Sequence, residues 1–155
     1  MPITKFMFDT NIFNHIIDGN LSLGAVKDIE FFVTHIQRDE LDATSNEERR
    51  KELLKVFKVV NQVLIPTESG VWGVSRWDLF KWSKKNGLYD RILKQLEKEK
   101  PHDRGNKKDA LIGETAVKMG IALVSDDGVL RETVRKLGGV SICLSDFLKQ
   151  TEDKS

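Results

Sequence analysis

A chain of 155 residues, 39% of them hydrophobic and 32% charged, is long enough for one domain that buries about two thirds of the surface its unfolded form exposes. The formal net charge of +1 excludes a whole-molecule attraction to nucleic acid or to an anionic membrane, so any basic surface has to be local. The single cysteine, Cys143, excludes an intrachain disulfide and, lying in an apolar run, reads as a small buried hydrophobe.

Residues 5 to 8 form a short apolar run that ends at Asp9, and Ile12, Phe13, Ile16 and Ile17 follow at helical spacing. Interrupted by Lys5 and Asp9, this start is too short for a signal peptide, and no apolar stretch reaches the length of a bilayer span. The chain therefore reads as soluble and cytoplasmic, with no membrane partner. After the break GNLSLG, the segment AVKDIEFF reads as helix and FFVTHI as a second short strand. SNEERRKELLKVFKVV opens with Ser45 and Glu48 in capping-box spacing, which predicts a helix start there. NQVLIP is a third strand, closed by Pro66, and RWDLFKWSKK and LYDRILKQLEKE are helices parted by Asn86 and Gly87.

The loop KEKPHDRGNKK is basic: Lys98, Lys100, Arg104, Lys107 and Lys108 against Glu99 and Asp103 leave +3. KKDALIGETAVKMG is a helix stopped by Gly120. IALVS is a strand bounded by Gly120 and the pair Asp126-Asp127, GVLRETVRKLGG another helix, and VSICLS the last strand. Residues 149–155 read as a frayed tail, leaving residues 1–148 as a single domain. Short apolar strands alternating with helices predict an α/β fold with a mostly parallel sheet covered on both faces.

In such a sheet ligands collect beyond the carboxyl ends of the strands, where strand order reverses. Asp9 ends the first strand, Glu40 follows the second, Asp109 lies in the first turn of the helix before IALVS, and Asp126 and Asp127 end that strand. Each has a plain structural explanation as a helix cap, a dipole-facing acid or an exposed helical residue. Four independent caps need not share one edge of a sheet, whereas one acidic site requires it. Clustered carboxylates repel, and a hard divalent cation such as Mg2+ or Mn2+ removes that penalty with the oxygen ligands it prefers. His15, His35 and His102 are scattered and offer no zinc alternative.

FMFDTNIF, the Glu of RDEL, and KKDALIGETAVKMGIALVSDD together resemble the PIN-domain nucleases in order, spacing and context, over roughly residues 4 to 148. The resemblance implies a three-layer α/β/α fold with a mostly parallel central sheet of about five strands, and Mg2+- or Mn2+-dependent cleavage of single-stranded or structured RNA. It maps Asp9, Glu40 and Asp109 onto the three principal acidic positions, with the fourth at Asp127 and Asp126 open as an alternative ligand. Thr10, Asn11 and Ser125 map as polar supports around those acids. Many small members are toxins held by an antitoxin protein, and members often form homodimers, so both partners are expectations of the resemblance.

Lys107 and Lys108 run into the Asp109 helix and are candidates for binding substrate phosphates, against the plainer reading of a solvated loop. Trp72, Trp77 and Trp82 read as core or subunit-interface packing rather than as a base-stacking platform. Glu114, about 140° around the helix from Asp109, is peripheral to the acids. The competing class is a PIN-like module that binds RNA or protein without cleaving.

Overall fold

Phe6, Met7 and Phe8 are apolar at consecutive positions, so each must meet a hydrophobic layer whichever side of a strand it takes. The chain meets this demand with a sheet covered on both faces. The computed structural model describes residues 5–19, 29–60, 63–64 and 87–152. The elements are β1 (Lys5–Phe8), α1 (Thr10–Asp18), β2 (Glu30–Val33), α2 (His35–Asp42), α3 (Glu47–Val60), β3 (Val63–Leu64), α4 (Leu88–Glu99), α5 (Asn106–Met119), β4 (Ala122–Val124), α6 (Gly128–Lys136), β5 (Ser141–Ile142) and α7 (Leu144–Glu152).

The strands lie in the order β3-β2-β1-β4-β5, and every adjacent pair is parallel. Met7 pairs with Phe32 on one side and Leu123 on the other, and all three feed one core layer with Tyr89, Ile92 and Leu96 of α4, Leu111 of α5 and Leu130 of α6. Their neighbours Phe6, Phe8, Phe31, Val33 and Val124 point the opposite way, into a layer with Ile12 and Phe13 of α1, Leu53 and Phe57 of α3, and Phe147 of α7. Period-two alternation in three paired strands thus sorts the core into two sheets of side chains. Helix α2 sits at the strand ends and serves both, with Ile36 in one layer and Leu41 in the other.

From β1 the chain builds outward through β2 and β3, then returns to lay β4 and β5 on the other side. The β1/β4 seam is therefore the point where strand order reverses, and the Asp9 N–H donates to the Val124 carbonyl across it at 2.9 Å. Gly120, at φ +67, ends α5 in the left-handed conformation that glycine adopts without steric cost. Among the described residues, no helix is long and apolar enough to cross a membrane.

Three boundaries differ from the sequence reading. AVKDIEFF is not helical at its end: β2 begins at Glu30, and Thr34, read as strand, is the cap of α2. The α3 start is capped by Asn46, whose Oδ1 accepts from the Arg49 N–H at 3.0 Å, so the capping side chain is one residue later than Ser45. The last strand is only Ser141–Ile142, and residues 149–152, expected to fray, belong to α7. The cause is Phe147, buried edge-to-face against Phe6 and Phe8 with ring centroids 4.9 and 5.2 Å away, which anchors that helix to the core. The helix read at RWDLFKWSKK and the three tryptophans lie outside the described residues.

A candidate acidic site at the strand ends

Asp9 follows the last residue of β1, and its backbone remains extended while α1 begins at Thr10. Its carboxylate accepts from the Thr10 N–H at 2.8 Å, which makes it the N-cap of α1, and from the Ser125 hydroxyl at 2.8 Å. A cap needs only the first bond. The second comes from the end of β4, across the seam, and commits the other carboxylate oxygen to the same spot.

Glu40 reaches this spot because α2 is turned by a buried capping box. Gln37 accepts from the Thr34 N–H at 2.9 Å and donates from Nε2 to the Phe8 carbonyl at 3.2 Å, tying the start of α2 to the end of β1. One turn later the Glu40 carboxylate accepts from the Thr10 hydroxyl at 2.9 Å. Asp109 lies in the first turn of α5. Asp127 caps α6, accepting from the Val129 and Leu130 N–H groups at 3.0 and 3.3 Å, while its own N–H donates to the Ser125 hydroxyl at 3.1 Å.

The charges of Glu40 and Asp127 act on Asp9, and those of Asp9, Asp127 and Glu40 act on Asp109, so the other three acids lie within electrostatic reach of Asp109. Burial pushes the Asp9 carboxyl up to about 6, against the lowering hydrogen bonds from Ser125 and Thr10 and with further repulsion from Glu40 and Asp127. Asp109 is pushed up to about 8 by burial first and then by the charges of Asp9 and Asp127, with Lys100 opposing and Glu40 adding to the rise. Its place at a helix N-terminus, where the macrodipole favours an anion, is outweighed. Glu40 is raised by burial, relieved in part by Thr10 and the nearby Lys108 charge. Asp127 alone is lowered: burial would raise it, but the hydrogen bond from Lys100 and those from the α6 backbone prevail.

Asp126 takes the opposite direction, as successive residues leaving a strand do. It accepts from the Leu144 N–H at 3.1 Å and lies 3.4 Å from His15 Nε2, so it positions α7 and stands outside the acidic group. Of the supports, Thr10 and Ser125 make the bonds described. Asn11, next in sequence to Thr10, brings a buried Oδ1 with no hydrogen-bond partner among the described residues. Lys108 is within electrostatic reach of Glu40, whereas Lys107 is an exposed residue of the first α5 turn. Glu114 is buried elsewhere, accepting from the Tyr89 N–H at 3.0 Å and pairing with Lys118, and so holds the start of α4.

Lys100 had no distinct place in the sequence reading beyond its charge in the loop. The fold turns it inward: its side chain is three-quarters covered and its ammonium pairs with the Asp127 carboxylate. Asn106 Nδ2 donates to the Lys100 carbonyl at 2.9 Å, which fixes the loop from the helix that carries Asp109. Asn106 itself is buried, and its Oδ1 has no partner among the described residues. No local pattern marks Lys100, since its partner is 27 positions away.

The donor set fits a hard cation in chemistry: four carboxylates, two orphaned amide oxygens beside them in the chain, and an ammonium already drawn to one acid. Among the described residues, no three acidic, histidine or cysteine side chains are already gathered around a single ion position. No family model matches the chain, and the search of curated proteins returns no match.

Proposed function

We propose that this protein is a PIN-like endoribonuclease of three-layer α/β/α form that uses Mg2+ or Mn2+ to hydrolyse phosphodiester bonds of single-stranded or structured RNA. The observation that carries the reading is the convergence of Asp9, Glu40, Asp109 and Asp127, from four separate segments, near the β1/β4 switch point, with Asp9 forced up by burial and by the charges of Glu40 and Asp127, and Asp109 by burial and by the charges of Asp9 and Asp127. Burying mutually repelling carboxylates destabilises a fold unless a ligand uses them, and a divalent cation is the ligand their oxygens suit.

Asp9, Glu40, Asp109 and Asp127 would hold the cation. When bound, it supplies Lewis-acid polarisation of the phosphate and lowers the pKa of water at the site. Ser125 fixes one Asp9 oxygen and the Asp127 backbone together, so the two acids keep a common orientation. Thr10 does the same for Glu40. Lys108, beside Glu40, offers a positive charge at the rim where a polyanion has to approach carboxylates, with Lys107 next to it in the chain. The resemblance of the sequence to the PIN family supports three further parts of this reading: action as a toxin, restraint by an antitoxin protein, and homodimer formation.

The test is cleavage of a mixed single-stranded RNA by wild type and Asp9→Asn, with Mn2+ and with EDTA. Cutting that needs both the metal and Asp9 is the expected result, with circular dichroism of the variant matching wild type. Turnover by Asp9→Asn at the wild-type rate would remove Asp9 from the chemistry. Loss of both cutting and Mn2+ binding in the wild type would replace the enzyme by a binding module.

A further inference from the structure

The acidic group has a cation paired directly with one of its members. Lys100 is the residue that closes α4, and its backbone is held on both sides: its N–H donates to the Leu96 carbonyl at 2.7 Å, and its carbonyl accepts from Asn106 Nδ2 at 2.9 Å. Asn106 opens α5, three residues before Asp109 and on the same helical face. The loop is thus fastened to the element that delivers one acid, and the lysine side chain it carries is fastened to another acid, Asp127. The pairing differs from the surface ion pairs elsewhere in the chain, such as Lys51 with Glu47, in which both side chains are 70% exposed. Here the side chains are 26% and 17% exposed, so water does little of the screening. The side-chain donors to Glu40 and Asp9 are neutral hydroxyls, whereas the side-chain donor to Asp127 carries a full positive charge.

We propose that the Lys100 ammonium is a resident counter-cation of the acidic site, which a divalent cation must displace from Asp127 in order to bind. This rests on the metal-dependent reading above. One positive charge cannot neutralise four carboxylates, so the lysine stabilises the metal-free fold without satisfying the site. A divalent ion brings twice the charge and takes Asp127 as a ligand, and the ammonium is then released toward the loop, where it faces incoming phosphate. Lys100 in this way sets how much free cation is needed before the site fills, a threshold that the four acids alone would not have.

Two measurements on the full chain test this. In the first, Mn2+ binding is followed by isothermal titration calorimetry for wild type, Lys100→Met and Lys100→Arg. Lys100→Met should bind Mn2+ about tenfold more tightly than wild type, the scale of one charge-assisted hydrogen bond removed from the competition. Lys100→Arg, which keeps the charge, should stay within a few-fold of wild type. In the second, which needs no variant, acylation of each lysine in the wild type is read by mass spectrometry with EDTA and with Mg2+. Lys100 should react slowly in EDTA and faster with Mg2+, while the exposed Lys94 reacts alike in both. Equal or weaker Mn2+ binding by Lys100→Met, or Lys100 reactivity that Mg2+ leaves unchanged, overturns the proposal while the metal-dependent reading stands. If no Mn2+ binds to the wild type, the two fall together, and the calorimetry shows which case holds.

Discussion

Ser125 is fully buried and serves two acids through one oxygen, donating to Asp9 and accepting from the Asp127 backbone. A hydroxyl is the smallest group that can do both, and alanine can do neither. Ser125→Ala should therefore leave the sheet intact while loosening the two acids against each other. We expect roughly a 10- to 100-fold loss of Mn2+ affinity, the usual cost of removing a hydrogen bond that orients a ligand. Calorimetry with Mn2+, alongside unchanged far-ultraviolet circular dichroism, checks it, and wild-type affinity would reduce Ser125 to a packing residue. At this scale the sequence is a poor guide to direction. Asp126 and Asp127 are adjacent acids after one strand, and their partners tell them apart: Asp126 meets the Leu144 N–H and His15, while Asp127 caps α6 and acts on the other acids.

Helix α2 is the element on which the site most depends and the one least visible in the sequence. Its buried positions include His35 and Gln37, both polar, so the hydrophobic period that marks a helix is missing. The signal that was present is the Thr34-to-Gln37 spacing, a capping box read instead as the end of a strand. By contrast β1, β4 and α5 are legible because apolar runs end at glycine or at acids, and the acidic positions Asp9 and Asp109 fall at their termini. The α7 helix is hidden for another reason: Leu144, Phe147 and Leu148 have helical spacing, but the apolar run before them extends the strand pattern too far. Gln37→Ala tests the weight α2 carries. It removes the Gln37 half of the capping box and leaves the buried Phe8 carbonyl without its side-chain donor, so it should cost about 1–3 kcal/mol of stability in urea unfolding. It should also weaken Mn2+ binding, because Glu40 moves with the helix. A loss of stability with unaltered binding would place Glu40 outside the ligand set.

For the molecule as a whole, the acidic group makes stability depend on pH in an unusual direction. Asp9 and Asp109 carry pKa values raised to about 6 and about 8 in the fold, from 3.8, and Glu40 is also raised. Between pH 4.5 and 8 the folded state therefore binds more protons than the unfolded one, and stability falls as pH rises through that window. Asp127, lowered, acts the other way, but only as pH falls through the more acidic range below its ordinary value. In EDTA the thermal midpoint should be higher at pH 6 than at pH 8. Asp109→Asn should flatten the slope, and saturating Mn2+ should remove it by binding the ionised carboxylates. A midpoint that rises from pH 6 to 8 in EDTA would show that these carboxylates do not repel as the fold implies.

The seam between β1 and β4 also has a meaning in time. A ribosome adds Asp9 well before Ser125, its hydrogen-bond partner, which comes 116 positions later. A nascent or prematurely ended chain can display β1 and β2, yet it has neither the strand that closes the seam nor Asp127. The acidic group cannot assemble until Asp9 and Asp127 have both left the exit tunnel. Synthesis itself thus delays assembly of the acidic group until β4 has emerged, and a product cut short before Ser125 lacks the seam altogether.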